Sequence, residues 1–134
     1  MKNINLLFGL ILFIGFLISG WYMENVFVPE NLTNLTARME LRANHIYIVL
    51  LSFINILSFK IELSKSRLSR LCDTTFRVLL LISGLITAIA FLNEHTGDLN
   101  ERIFEFYIVL SALIAVSIVL LNEIWTFIIN RKSA

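Results

Sequence analysis

Four uninterrupted apolar runs constrain this chain more than any other feature. They cover Ile4 to Tyr22, Leu41 to Phe59, Thr75 to Asn93 and Ile103 to Phe127. At about 1.5 Å of rise per helical residue, each is long enough to cross the roughly 30 Å of hydrocarbon in a bilayer. Lipid offers no partner to backbone N–H and C=O groups, and a helix satisfies both within itself. The β-branched stretch from Ile108 to Val119 is expected to be helical for the same reason. The small propensity penalty of Val and Ile is outweighed by the cost of an unpaired peptide group in lipid. The expected fold class is all-α membrane: a four-helix antiparallel transmembrane bundle, one domain over residues 1–134.

Composition closes other routes. The chain is 57% hydrophobic with a mean hydropathy of +0.81, more apolar surface than a soluble domain of 134 residues can hide. Charged residues are 16% of the total and the net charge is +1, so no nucleic-acid partner is expected. Cys72 is the single cysteine, which excludes an intrachain disulfide and a multi-cysteine metal site.

Orientation follows from the basic residues between the runs. Lys2 precedes the first run, Lys60, Lys65, Arg67, Arg70 and Arg77 crowd the second connection, and Arg131 and Lys132 follow the fourth. The opposite side has Arg38, Arg42 and Arg102 among Glu24, Glu30, Glu40, Glu94, Asp98, Glu101 and Glu105. Both termini and the middle loop are therefore expected in the cytoplasm. Trp21, Tyr22, Tyr47 and Tyr107 at outer ends, and Trp125 near an inner one, fit aromatic belts in this frame. A lysine followed by an apolar stretch also describes a secretory signal peptide. The length of the first run and the poor cleavage sequence Ile18-Ser19-Gly20 favour an uncleaved helix.

Connections carry their own signals. Pro29 is followed by Asn31, Thr33, Asn34 and Thr36, any of which can cap a helix that starts well before Leu41. The middle loop, Ser64 to Ser69, is short and basic. Gly97 marks the second outer turn, and Asp98 with Glu101 makes a loose capping box for a helix beginning near Leu99. A tetrapeptide recurs as Leu17-Ile18-Ser19-Gly20 and Leu81-Ile82-Ser83-Gly84, each in the first helix of a two-helix half. Internal duplication is one reading of it, although such matches are easily made in apolar sequence.

Helices in lipid associate through small residues that permit close approach. Ser83 with Thr87, Gly84 with Ala88, and Ser111 with Ala115 stand at i, i+4 and mark expected packing faces. A polar cluster is expected at the outer end, where Arg38, Arg42 and His45 share one helix face and meet Glu94, Arg102 and Glu105 from other helices. Ionisable groups at the hydrocarbon edge are costly unless paired, so salt bridges between Arg42 or Arg102 and Glu94 or Glu105 are the economical arrangement. His45 and His95 are the two histidines, and together they suggest a haem or metal pair only weakly. Near the inner face, Glu123 is expected to pair with Arg70, Arg77 or Arg131. No nucleophile elbow, P-loop, dinucleotide fingerprint or zincin helix is present, and no catalytic residue, metal or cofactor is assigned.

The stretch Arg42-Ala43-Asn44-His45-Ile46-Tyr47, with Leu50, Leu51 and Asn55 after it, then a basic loop and an acidic third-to-fourth connection, resembles a group of uncharacterised small four-span bacterial inner-membrane proteins. The resemblance covers helices 2 to 4. It implies a bacterial inner membrane and brings no ligand or catalytic residue with it. Three functions follow: a non-catalytic interaction or accessory protein, self-associating or bound to another membrane protein; a subunit of an oligomeric channel or carrier; and a redox protein using His45 and His95. Absence of motifs favours the first.

Reporter fusions after Ala134 and within residues 64–69 should read cytoplasmic, and fusions within residues 24–33 and 95–100 external. A cytoplasmic signal from either outer loop would overturn the orientation.

Overall fold

The computed structural model describes residues 1–30, 32–61, 63, 66–93 and 103–132, and these are helical apart from short connections. Helix α1 (Lys2–Tyr22) continues through a π-turn (Met23–Phe27) into the short α2 (Val28–Glu30). The remaining helices are α3 (Leu35–Ser58), α4 (Arg67–Asn93) and α5 (Ile103–Lys132). Four stretches are long and apolar enough to cross a membrane: Lys2–Phe27, Leu35–Ser58, Arg67–Asn93 and Phe104–Ile129.

The first helix does not stop at Tyr22, where its apolar run ends. Pro29 has no amide hydrogen to complete an α-type bond to Asn25, and the chain widens into a π-turn just ahead of it. Asn34 then starts α3, its side chain accepting from the Ala37 amide at 3.0 Å. The helix after the middle loop starts earlier than expected. Ser66 Oγ accepts from the Ser69 amide at 3.1 Å and caps α4, so Ser69 belongs to the helix and not to the loop. The Gly97 turn and the Asp98–Glu101 cap lie outside the described residues.

Helix α1 packs along α3 and α4 along α5, and the two pairs join chiefly across α3 and α4. Pairings run in opposed numerical order: Gly9 meets Ser52 and Ile56, whereas Gly20 meets His45. Likewise Ser69 bonds Asn122, and Ser83 lies against Ser111. The middle of the core is Leu12, Ile48, Leu51, Ala90 and Ile108, with Met23, Phe27, Ala37 and Leu41 toward one end and Phe76, Leu80 and Ala115 toward the other.

Backbones approach closely at Gly9. A Cβ there would lie 2.9 Å from both Ile56 N and Ser52 O, and Ser52 Oγ donates to the Gly9 carbonyl at 2.9 Å. Two backbone atoms cannot step aside as a side chain can. Nothing lies within 4 Å of a Cβ at Gly15. Gly9→Ala should therefore lower the stability of the α1–α3 pair by about 1–3 kcal/mol, read as an earlier melt in detergent, while Gly15→Ala should melt no earlier than the parent.

Candidate functional site

The most polar place in the fold surrounds Arg77, whose side chain is fully buried although it stands in a membrane-length helix. Arg77 Nε and Nη2 donate to the two Asp73 carboxylate oxygens at 2.9 and 2.8 Å. The i, i+4 spacing on α4 sets up this fork, the planar geometry a guanidinium prefers. Beyond Asp73 the guanidinium reaches a second helix. Nη1 donates to the Ser58 carbonyl at 3.1 Å and Nη2 to the Ile61 carbonyl at 3.0 Å. The Ser58 carbonyl is the last of α3 and the Ile61 carbonyl lies three residues beyond it, at the end where the helix dipole is negative. Arg77 therefore caps α3 from α4.

One turn further in, Asn5 Nδ2 donates to Asn55 Oδ1 at 2.9 Å and to the Arg77 carbonyl at 3.1 Å. Asn55 Nδ2 donates to the Leu51 carbonyl at 2.9 Å and the Leu80 carbonyl at 3.4 Å. Three helices are thus tied by side chains that are all fully buried. The expected ion pair between Arg77 and Glu123 is not formed. Arg77 is spent on Asp73 and on α3, and Glu123 is exposed on α5. Its neighbour Asn122 takes the inward position instead, accepting from Ser69 Oγ at 2.9 Å.

At the other end the expected cluster is distributed differently. Arg42 is exposed, and Arg38 reaches back to the Leu32 carbonyl at 3.5 Å. His45 turns to α1, with its ring stacked on Phe16 at 4.2 Å and Nδ1 2.9 Å from Ser19 Oγ. Ser19 gives its hydroxyl hydrogen to the Phe16 carbonyl at 3.0 Å, so His45 Nδ1–H is the donor in that pair. Glu105 is half-buried, while Glu94, His95 and Arg102 lie outside the described residues. Glu40 and Asn44 are buried on the same helix, and Asn44 Nδ2 donates to the Ala90 carbonyl at 3.4 Å. Neither joined the expected cluster, although their i, i+4 spacing on α3 was a readable signal.

The small residues on α4 and α5 sit in contact. Ser83 Oγ is 2.7 Å from Ser111 Oγ, Thr87 Oγ1 donates to the Ser83 carbonyl at 2.8 Å, and Ala115 is fully buried. A Cβ on Gly84 would lie 2.5 Å from Phe8 Cε1, which places that face against α1. Ala88, with Ile11, Gly15, Ile18, Leu41 and Ile48, lines an apolar groove of about 510 Å³ between α1, α3 and α4. Cys72 is free and half-buried. Among the described residues, no three His, Cys, Asp or Glu side chains come together as metal ligands. No family model matches the chain, and neither does any curated protein or solved structure.

Removing one partner of a buried ion pair strands the other. Arg77→Gln should lower stability by about 3–5 kcal/mol in detergent unfolding. Asp73→Asn should cost less, because its side chain keeps 27% exposure and water compensates. A double-mutant cycle should give a coupling above about 0.5 kcal/mol. Additive losses would mean that Arg77 is held by the α3 carbonyls alone.

Proposed function

We propose that this chain is a four-helix antiparallel bundle of a bacterial inner membrane, with both termini and the α3–α4 connection in the cytoplasm. It works by assembly, with another membrane protein or with further copies of itself, and not by catalysis. One observation carries this reading. Buried polar side chains are committed to holding helices together, while α5 leaves most of its apolar surface without a neighbour.

Asn5, Ser52, Asn55, Ser69 and Arg77 all bond across helices. A site that acts on a substrate needs polar groups facing a space a ligand can enter, and these face one another. By contrast, 11% of the apolar stretch of α5 is buried, against 39% for α3 and for α4. Leu113, Ser117, Leu120 and Ile124 are exposed along its outward side. Ser117 is small and polar at mid-helix, the residue type that lipid-embedded helices use where they touch. The orientation is supported by exposed Lys60, Arg67 and Arg70 at the end where Arg77 caps α3, and the opposed order of the helix pairings supports the antiparallel arrangement.

Purification from native membranes in mild detergent tests the reading. A stable partner or a homo-oligomer is expected, and Leu113→Trp with Leu120→Trp should release it while the isolated chain melts unchanged. A monomer that carries no other protein would overturn the proposal. Ion or solute flux through the reconstituted protein would select the channel alternative.

A further inference from the structure

The recurrent Leu-Ile-Ser-Gly tetrapeptide occupies equivalent places in the two helix pairs. Ser19, on the first helix of one pair, bonds His45 of α3, and Ser83, on the first helix of the other, bonds Ser111 of α5. A second tie sits at the opposite end of each pair: Asn5 with Asn55, and Ser69 with Asn122. The offset that carries Ser19 onto Ser83 also carries Asn5 onto Ser69 and Gly20 onto Gly84. The offset that carries Asn55 onto Asn122 carries Asn44 onto Ser111 and Ile48 onto Ala115. The Asn5–Asn55 and Ser69–Asn122 ties are equivalent under these offsets, whereas the Ser19 tie falls one residue away, on His45 where Asn44 is the counterpart of Ser111.

Equivalence exposes what the second unit lacks. Between the halves, α3 packs on α4 through Ser58, Asn55 and Asn44 against Arg77, Leu80 and Ala90, all of them fully buried. The α5 counterparts of Ser58 and Asn44 are Trp125, 57% exposed, and Ser111, half-buried. On α1 the counterparts of Arg77, Leu80 and Ala90 are Phe13, Phe16 and Val26, each half-buried. Asn55 Nδ2 bonds the Leu80 carbonyl of the next unit. Its counterpart, Asn122 Nδ2, is buried with no partner among the described residues.

We infer that the interface between the halves continues between chains, with α5 of one copy packing on α1 of the next as α3 packs on α4. This rests on the reading that the chain works by assembly, and it names the partner as a second copy. The contact is head-to-tail, because the two faces differ, and such contacts close into rings or propagate. Units related by an axis along the membrane normal are a known arrangement of membrane repeats.

Disulfide trapping in native membranes tests it in a Cys72→Ser background. Phe13→Cys and Trp125→Cys occupy the positions equivalent to Arg77 and Ser58. Carried on one chain, they should give a ladder of oligomers on oxidation. Single variants co-expressed should give dimers, and each alone should give none. Leu7→Cys in place of Phe13→Cys should abolish the ladder, since Leu7 corresponds to exposed Leu71. Trapping by Trp125→Cys alone would indicate a symmetric contact and overturn the inference. No trapping in a chain that still purifies with a different protein would overturn it while leaving the assembly reading intact, and no trapping in a partner-free monomer would overturn both.

Discussion

A guanidinium buried among helices in lipid has few stable solutions, and the arrangement of this bundle is organised around one of them. Taking the charge of Arg77 out of water costs several kcal/mol unless it is paired. Asp73 neutralises the charge, and the Ser58 and Ile61 carbonyls take two more of the five N–H donors. That fixes the end of α3 against the third turn of α4, the contact through which the two halves meet. The Asn5 and Asn55 pair then adds α1 to the same point through the Arg77 carbonyl. Register among three helices is therefore set by hydrogen bonds with defined directions. Apolar packing alone tolerates sliding when the surrounding solvent is as apolar as the core.

This explains which parts of the molecule the sequence disclosed. Helix number and approximate position are one-dimensional properties: a run either is or is not long and apolar enough. Ser83 and Ser111 were named from spacing on their own helices, and they stand 2.7 Å apart. Arg77 was harder to read because a charge shortly after a basic loop looks like a flanking charge. Only the path of α3 shows that its carbonyl end lies within reach. The Asp73–Arg77 spacing was the available signal. Gly9 carried no such mark, since a lone glycine becomes a crossing point only when Ser52 and Ile56 are known to face it. At the other end, Arg38, Arg42 and His45 share a stripe broad enough to divide between surroundings. Arg42 stays exposed while His45 reaches Ser19.

The proposed repeat is weak in sequence and rests on the matching Asn5–Asn55 and Ser69–Asn122 ties, for a physical reason. Apolar positions facing lipid or a soft core accept many substitutions of similar size, so duplicated helices soon lose recognisable similarity. Directional ties drift less freely, because a buried hydroxyl or amide left without its partner is costly. Ser19 and Ser83 each keep a partner on the second helix of their own unit, although that partner is histidine in one and serine in the other.

The distribution of polar groups also separates contact from conduction. A path for ions or polar solutes needs side chains or carbonyls turned toward it along its length. Here large apolar side chains are exposed along the membrane-length helices, among them Leu7, Leu10, Ile14 and Leu17 on α1, Ile46, Leu50 and Phe53 on α3, and Ile82, Leu85 and Ile89 on α4, while exposed polar ones such as Glu24, Arg42, Arg67, Arg70, Thr74, Thr75 and Asn93 lie toward the ends. On α5, Ser117 is a single polar interruption among Leu110, Leu113, Leu120 and Leu121. A ring closed through α5 and α1 would place these apolar faces on both its lipid side and its inner side. Such a ring fills its centre with side chains or lipid more readily than with water. Asn5, Ser52, Asn55, Ser69 and Arg77, which could have lined a path, are instead bonded across helices, an arrangement that supports the proposed role in assembly.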